Sequence, residues 1–289
     1  MPPVAGADTA ALRGRRVFIT GGARGIGAAL ARRLHERGAH VALAGLEPEL
    51  LEEVARSCGD APWHECDVTD RAQVEAAVSS SVERLGGLDV VVANAGVAGQ
   101  LPIVGGNPEV MERTIAVNLM GVYNTLREAG PHISHERGYA LAVSSLAAVL
   151  HLPLLGAYCA SKAAVEALAG SLSAELRPSG ARVGVAYFAE IDTEMTSRGF
   201  GTEASAKLLG NNPFLRPAPL GAAVGALERG IARRSRRVTA PWWVAGFLPL
   251  RVGAQPLIER MFTRRLPRAL EIARGEDAPL TTQQPPSRS

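Results

Sequence analysis

Alternation of short apolar runs with amphipathic stretches constrains this chain more than any other feature. Arg16-Val-Phe-Ile-Thr20 reads as a strand and Ala28–Arg37 as a helix closed by Gly38. The order then repeats: strand His40–Ala44, helix Pro48–Ser57, strand Trp63–Cys66, helix Asp70–Leu85 and strand Leu88–Ala93. A long helix at Pro108–Ala129 follows, then strand Tyr139–Val143, helix Ala157–Arg177 and strand Arg182–Phe188. Repeated β-α units with short connections imply one α/β domain, a doubly wound parallel sheet of the Rossmann kind flanked by helices. Beyond Phe188 the pattern loosens to a loop with a short helix at Glu203–Leu209. A helix at Pro219–Arg233 and a last strand at Val238–Ala240 close it.

The domain should run over residues 14–274, with 189–274 forming a substrate loop and cover. Residues 1–13 read as a loose leader without the basic start and apolar core of a signal peptide. The polar, Pro-rich tail 275–289 reads as disordered.

In a doubly wound sheet, ligands sit at the carboxyl ends of the strands. Gly21, Asp67, Asn94, Ser145 and the loop after Phe188 all fall there. Gly21-Gly-Ala-Arg24-Gly25-Ile26-Gly27 joins the first strand to the first helix. Glycines let backbone approach a pyrophosphate, and a helix N-terminus faces its charge. Alone, such a turn can be merely a tight connection. No Lys-Ser/Thr follows, which excludes the phosphate loop of nucleotide triphosphatases.

Tyr158 and Lys162 lie four apart in the Ala157–Arg177 helix and so share one face. Most such pairs are a packed phenol beside a solvated amine. An ammonium held near the phenol would lower the tyrosine pKa and make it an acid/base for an alcohol or alkoxide. Ser145, ending the Tyr139–Val143 strand, is placed to hold the reacting oxygen.

Composition closes off other classes. There are 31 basic and 28 acidic side chains, a net charge of +3, too small to argue for nucleic acid. The Arg233–Arg237 cluster reads as a solvated helix end. Cys58, Cys66 and Cys159 have no C-x-x-C spacing, and the six histidines no ligand spacing, so no metal site is expected. Three cysteines without a disulfide pattern point to a reducing compartment, hence the cytoplasm. The longest apolar run near the end, Trp242–Leu250, is too short to span a membrane and contains Pro249.

Taken in order, Thr20-Gly-x-x-x-Gly-Ile-Gly27, Asp67-Val68, Asn94-Ala95-Gly96, Asn118, Ser145 and Tyr158-x-x-x-Lys162 resemble the motifs of the short-chain dehydrogenase/reductase family. The resemblance spans roughly residues 13–240. It implies an NAD(P)(H)-dependent oxidoreductase with Tyr158 as acid/base and Ser145 holding the substrate oxygen. Lys162 would lower the Tyr158 pKa and bond the nicotinamide ribose, and Asn118 would hold a water on a distorted helix. Asp67 and Val68 would face the adenine, Asn94–Gly96 the adenosine ribose, and Ile191 and Thr193 the nicotinamide. The spacing to Tyr158 selects Ser145 over Ser144.

Two positions depart from the family pattern. Phe188-Ala189-Glu190 replaces its usual Pro-Gly, and Gly45 stands where NAD-preferring members carry an acidic residue. With Arg24 nearby, NADP(H) is favoured and NAD(H) is the alternative, Glu47 acting against the first. The resemblance also implies a homodimer or homotetramer. The guessed linings, Val97–Val104, Leu146–Leu155 and residues 188–215, are mostly apolar and favour a lipophilic secondary alcohol or ketone. The Trp242/Trp243/Arg segment should cover that site or form a subunit interface; peripheral membrane contact is less favoured. A catalytically silent dinucleotide-binding sensor or scaffold is the alternative function.

Overall fold

The computed structural model describes residues 10–195, 202–209, 217–275 and 280. Seven strands form one parallel sheet in the order β3-β2-β1-β4-β5-β6-β7. They are β1 Arg16–Thr20, β2 His40–Gly45, β3 Trp63–Glu65, β4 Val90–Ala93, β5 Tyr139–Val143, β6 Arg182–Phe188 and β7 Arg237–Ala240. The central strands β4 and β5 are buried at every residue, as runs without polar alternation require. This is the doubly wound architecture expected from the alternation.

Each face of the sheet is covered by three helices. Val17 and Ile19 of β1 pack with α1 (Gly25–Glu36), α2 (Pro48–Ser57) and the late helix α8 (Leu220–Arg233). Phe18, pointing the other way, joins α3 (Arg71–Leu85), α5 (Gly121–Ala129) and α6 (Gly156–Glu175). Local chemistry sets the ends. The Asp70 carboxylate caps α3 by accepting from the backbone N–H of Ala72 at 3.0 Å and of Gln73 at 3.2 Å. Gly86 ends it in a left-handed conformation, φ 71°.

The long helix expected at 108–129 is present but not uniform. α4 (Pro108–Ile115) passes into a wide π turn, Ala116–Met120, before α5. Such turns concentrate at functional sites, and this one carries Asn118.

Two expectations are corrected. Residues 10–12, expected in a loose leader, are helical and Leu12 is fully buried in the core, while residues 1–9 lie outside the described residues. The Pro241–Arg274 region, in which the sequence suggested no element, is helical: α9 (Val244–Phe262) and α10 (Leu266–Gly275). α9 continues through Pro249 and Pro256, each of which removes a backbone bond and normally costs about 3 kcal/mol in a helix interior. Both prolines lie on exposed positions, where the freed carbonyls can meet water. Phe262 and Ala269 pack with Leu154 and with Ala204 and Leu208 of α7 (Glu203–Leu209) in a small separate core. The C-terminal helices thereby sit against the loop before Tyr158. The tail beyond Gly275 falls, except for Leu280, outside the described residues.

Candidate active site

A cleft of about 1250 Å³ runs along the carboxyl ends of the strands. Gly21, Arg24, Gly25, Ile26, Asp67, Val68, Asn94, Ala95, Gly96, Ser145, Tyr158, Lys162, Ile191 and Thr193 all line it. Gly27 and Asn118, the other residues singled out from the sequence, stand just behind its wall.

The glycine turn is shaped for a close ligand. A Cβ on Gly27 would lie 2.1 Å from the Gly21 carbonyl oxygen, and one on Gly21 2.9 Å from Ala95 Cα. Gly25, at φ +55°, would have its Cβ no nearer than 3.9 Å to Thr193. The outer glycines are thus forced by the protein, while the middle one keeps an open floor. Asn94 braces this turn: its Nδ2 donates to Thr20 O at 3.0 Å and Gly21 O at 3.2 Å. These features fit a dinucleotide, with the turn and the α1 N-terminus toward its pyrophosphate. The Asp67 carboxylate accepts from Thr69 N at 2.9 Å and Thr69 Oγ1 at 2.8 Å, which fixes the wall after β3.

Asn118 is fully buried. Its Oδ1 accepts from Val97 N at 2.8 Å, and its Nδ2 donates to Val97 O at 2.9 Å and Ser161 Oγ at 3.1 Å. The side chain ties the loop after β4 to the Tyr158 helix. Lys162 is also buried; its Nζ donates to Val143 O at 2.9 Å and stands 5.5 Å from the Tyr158 ring centroid. Ser144 Oγ donates to Lys162 O at 2.9 Å. Ser145 Oγ accepts from Ala147 N at 3.1 Å, donates to Phe188 O at 3.2 Å and is the hydrogen-bond partner of the Tyr158 hydroxyl. The two neighbouring serines are therefore distinguished: Ser144 is tied to the helix backbone, and Ser145 meets the phenol.

The electrostatics differ from the sequence expectation. Burial pushes Tyr158 up to about 12, and the hydrogen bond with Ser145 offsets this only in part. Lys162 was expected to lower it, but burial pulls the ammonium itself down to about 8. Desolvation is the largest cause for both groups. This has a measurable sign. Between about 8 and the ordinary 10.5, the unfolded chain holds a proton on Lys162 that the folded chain has lost. The Lys162 contribution to stability therefore rises with pH across that window. Chemical denaturation of wild type and Lys162→Met from pH 7 to 10 should show their difference moving in favour of wild type above pH 8. Tyr158 acts with the opposite sign, but only above its ordinary value of 10. A difference that stays flat would contradict the burial effect.

Arg24, singled out for a 2′-phosphate, is ion-paired. It donates from Nη2 to Glu47 Oε1 at 2.6 Å and from Nη1 to Glu194 Oε2 at 2.9 Å. This ties the glycine turn to the β2–α2 connection and to the loop after β6.

Gln100 lines the cleft from the expected Val97–Val104 stretch; Cys66, Met261 and Phe262, which the sequence did not single out, also line it. Trp243 and Phe247 reach it from the C-terminal segment expected to cover it. Among the described residues there is no metal-ligating cluster and no helix long and apolar enough to cross a membrane.

Residues 15–204 match the family model described as short chain dehydrogenase. The chain is 37% identical over 214 residues to short-chain dehydrogenase reductase 3b of Arabidopsis thaliana, covering 69% of this chain and 83% of that protein. It is 36% identical over 200 residues to glycine betaine reductase ATRR of Emericella nidulans, covering 68% of this chain but only 16% of that longer protein. A crystal structure of a dehydrogenase/reductase from Sinorhizobium meliloti 1021 superposes with a TM-score of 0.72 at 26% identity, over 81% of this chain and 96% of that one. The chain belongs to the short-chain dehydrogenase/reductase family of oxidoreductases, whose members bind NAD(P)(H).

Proposed function

We propose that the protein interconverts a lipophilic ketone and a secondary alcohol, with Tyr158 as the proton-transfer group. The observation that carries this is the hydrogen-bonded Ser145–Tyr158 pair facing the cleft, with the Lys162 ammonium beside the phenol. The nicotinamide supplies or accepts the hydride. Ser145 turns its hydroxyl from the Phe188 carbonyl to the substrate oxygen, and Tyr158 gives that oxygen its proton. A tyrosine at about 12 is a phenol at neutral pH, so the arrangement suits the reductive direction. Lys162, held by Val143, places positive charge where the phenolate forms. Asn118 positions the loop and the Tyr158 helix. No feature favours the silent scaffold, which would not need this pair.

Leu146, Leu150, Leu155, Leu208, Phe247 and Phe262 line the substrate side and support an apolar body for the substrate. α9 and α10 act as its cover. Exposed Met111, Met120 and Tyr123 on the 108–129 path support a homodimer or homotetramer. Three free, buried cysteines support a reducing compartment such as the cytoplasm.

For the nucleotide, the sequence favoured NADP(H); the ion pairs of Arg24 support NAD(H). Arg24 pairs with two carboxylates, so the group carries net negative charge and a 2′-phosphate would have to displace one of them. A ribose 2′-hydroxyl can instead donate to Glu47. We therefore assign NAD(H). A panel of hydrophobic ketones and alcohols assayed with both cofactors tests the reaction and the nucleotide together. NAD(H) should give at least tenfold higher kcat/KM, and Glu47→Ala, which leaves Arg24 paired with Glu194 alone, should swing the ratio toward NADP(H) by ten- to hundredfold, the span of ~1.5–3 kcal/mol for a charge-assisted bond. No turnover across the panel would reject the reaction; a wild-type preference for NADP(H) would reject the assignment of Glu47.

A further inference from the structure

We infer that Glu190 is a specificity-determining residue which accepts a hydrogen bond from a second polar group of the substrate, a hydroxyl or amine within a few bonds of the reacting carbon. This deepens, and rests on, the reading of the cleft as the site of a ketone/alcohol reaction. Glu190 lines the cleft two residues beyond Phe188, whose carbonyl receives the Ser145 hydroxyl. At ~3.8 Å per Cα step, its backbone lies roughly 7 Å from that of Phe188 at most. The position is fixed: Glu190 O accepts from Ala218 N at 2.8 Å, and Asp192 N donates to Ala218 O at 2.8 Å. Its carboxylate has no hydrogen-bond or ion-pair partner among the described residues.

An anion so placed is costly. Half-buried against a mostly apolar wall, it has lost part of its water, and no described residue supplies a donor. Burial raises the carboxyl above its ordinary value, and no cation among the described residues offsets it. The contrast with Glu47 and Glu194, both spent on Arg24, is direct. A purely hydrocarbon ketone would cover Glu190 without offering it a donor. A substrate with a donor near its carbonyl would satisfy it, and sites with a buried polar group reject analogues lacking the matching partner.

The test compares cyclohexanol with 1,2-, 1,3- and 1,4-cyclohexanediol on wild type, Glu190→Gln and Glu190→Leu, all full length. Binding is read by tryptophan fluorescence, since Trp243 lines the cleft, and oxidation by kcat/KM. At least one diol should exceed cyclohexanol tenfold or more in wild-type binding. The advantage should vanish in Glu190→Leu and survive in part in Glu190→Gln, which keeps an acceptor oxygen and the side-chain length. A diol that binds through Glu190 but is not oxidised would leave this inference standing and count against the reaction. No diol preference in wild type, or the same preference in Glu190→Leu, would overturn the inference.

Discussion

Tyr158→Phe should lower kcat by ~10²–10⁴-fold, the usual worth of a positioned general acid–base group, while nucleotide affinity changes by less than about threefold. The phenol is the one group in the cleft hydrogen-bonded to Ser145 and flanked by a buried ammonium. Its hydroxyl interacts with the reacting oxygen chiefly in the transition state, so its loss should appear in kcat and kcat/KM alike. The ring remains, and with it the packing against the cluster of Ala147, Leu155 and Cys159. Steady-state kinetics with a direct nucleotide titration check both halves. A variant that keeps more than a tenth of wild-type kcat would remove Tyr158 from the proton-transfer role.

Gly27→Ala should weaken nucleotide binding by at least about a hundredfold, roughly 2.7 kcal/mol, without unfolding the sheet. Its new Cβ would fall 2.1 Å from Gly21 O and 2.8 Å from Asn94 Nδ2. The first is backbone and cannot rotate away. The turn must open, which pulls Asn94 from its bonds to Thr20 and Gly21 and spoils the open floor at Gly25. Gly170→Ala, exposed within α6 and with nothing within 4 Å, is the control and should stabilise by ~0.5–1 kcal/mol. Isothermal titration with the nucleotide and thermal melts of both variants separate binding from folding. Equal affinity for wild type and Gly27→Ala would mean that the turn is only a connection.

Much of this was written locally. The strands β5 and β6 fall on the residues the apolar runs marked, and so does α7, because short-range pattern and final burial agree there. Gly21, Asp67, Asn94 and Ser145 were equally legible, since each follows a strand and a parallel sheet gathers those ends on one side. Periodicity could not show the π turn at Asn118, which differs from an α-helix by one residue in its bonding. Nor could it show α9, where two prolines read as breaks and only exposure of both makes them tolerable.

The electrostatics of the site belonged entirely to tertiary structure. Spacing put Lys162 beside Tyr158, but the sign of the net shift on the phenol depends on how much water the fold removes. Arg24 looked available because its partners, Glu47 and Glu194, are 23 and 170 residues away along the chain. Glu190 was visible as a departure from a motif, while its lack of a partner among the described residues could be learned only once its neighbours were in place. Pattern along the chain determines which backbone goes where; charge acts through space, over distances set only when the whole sheet has closed.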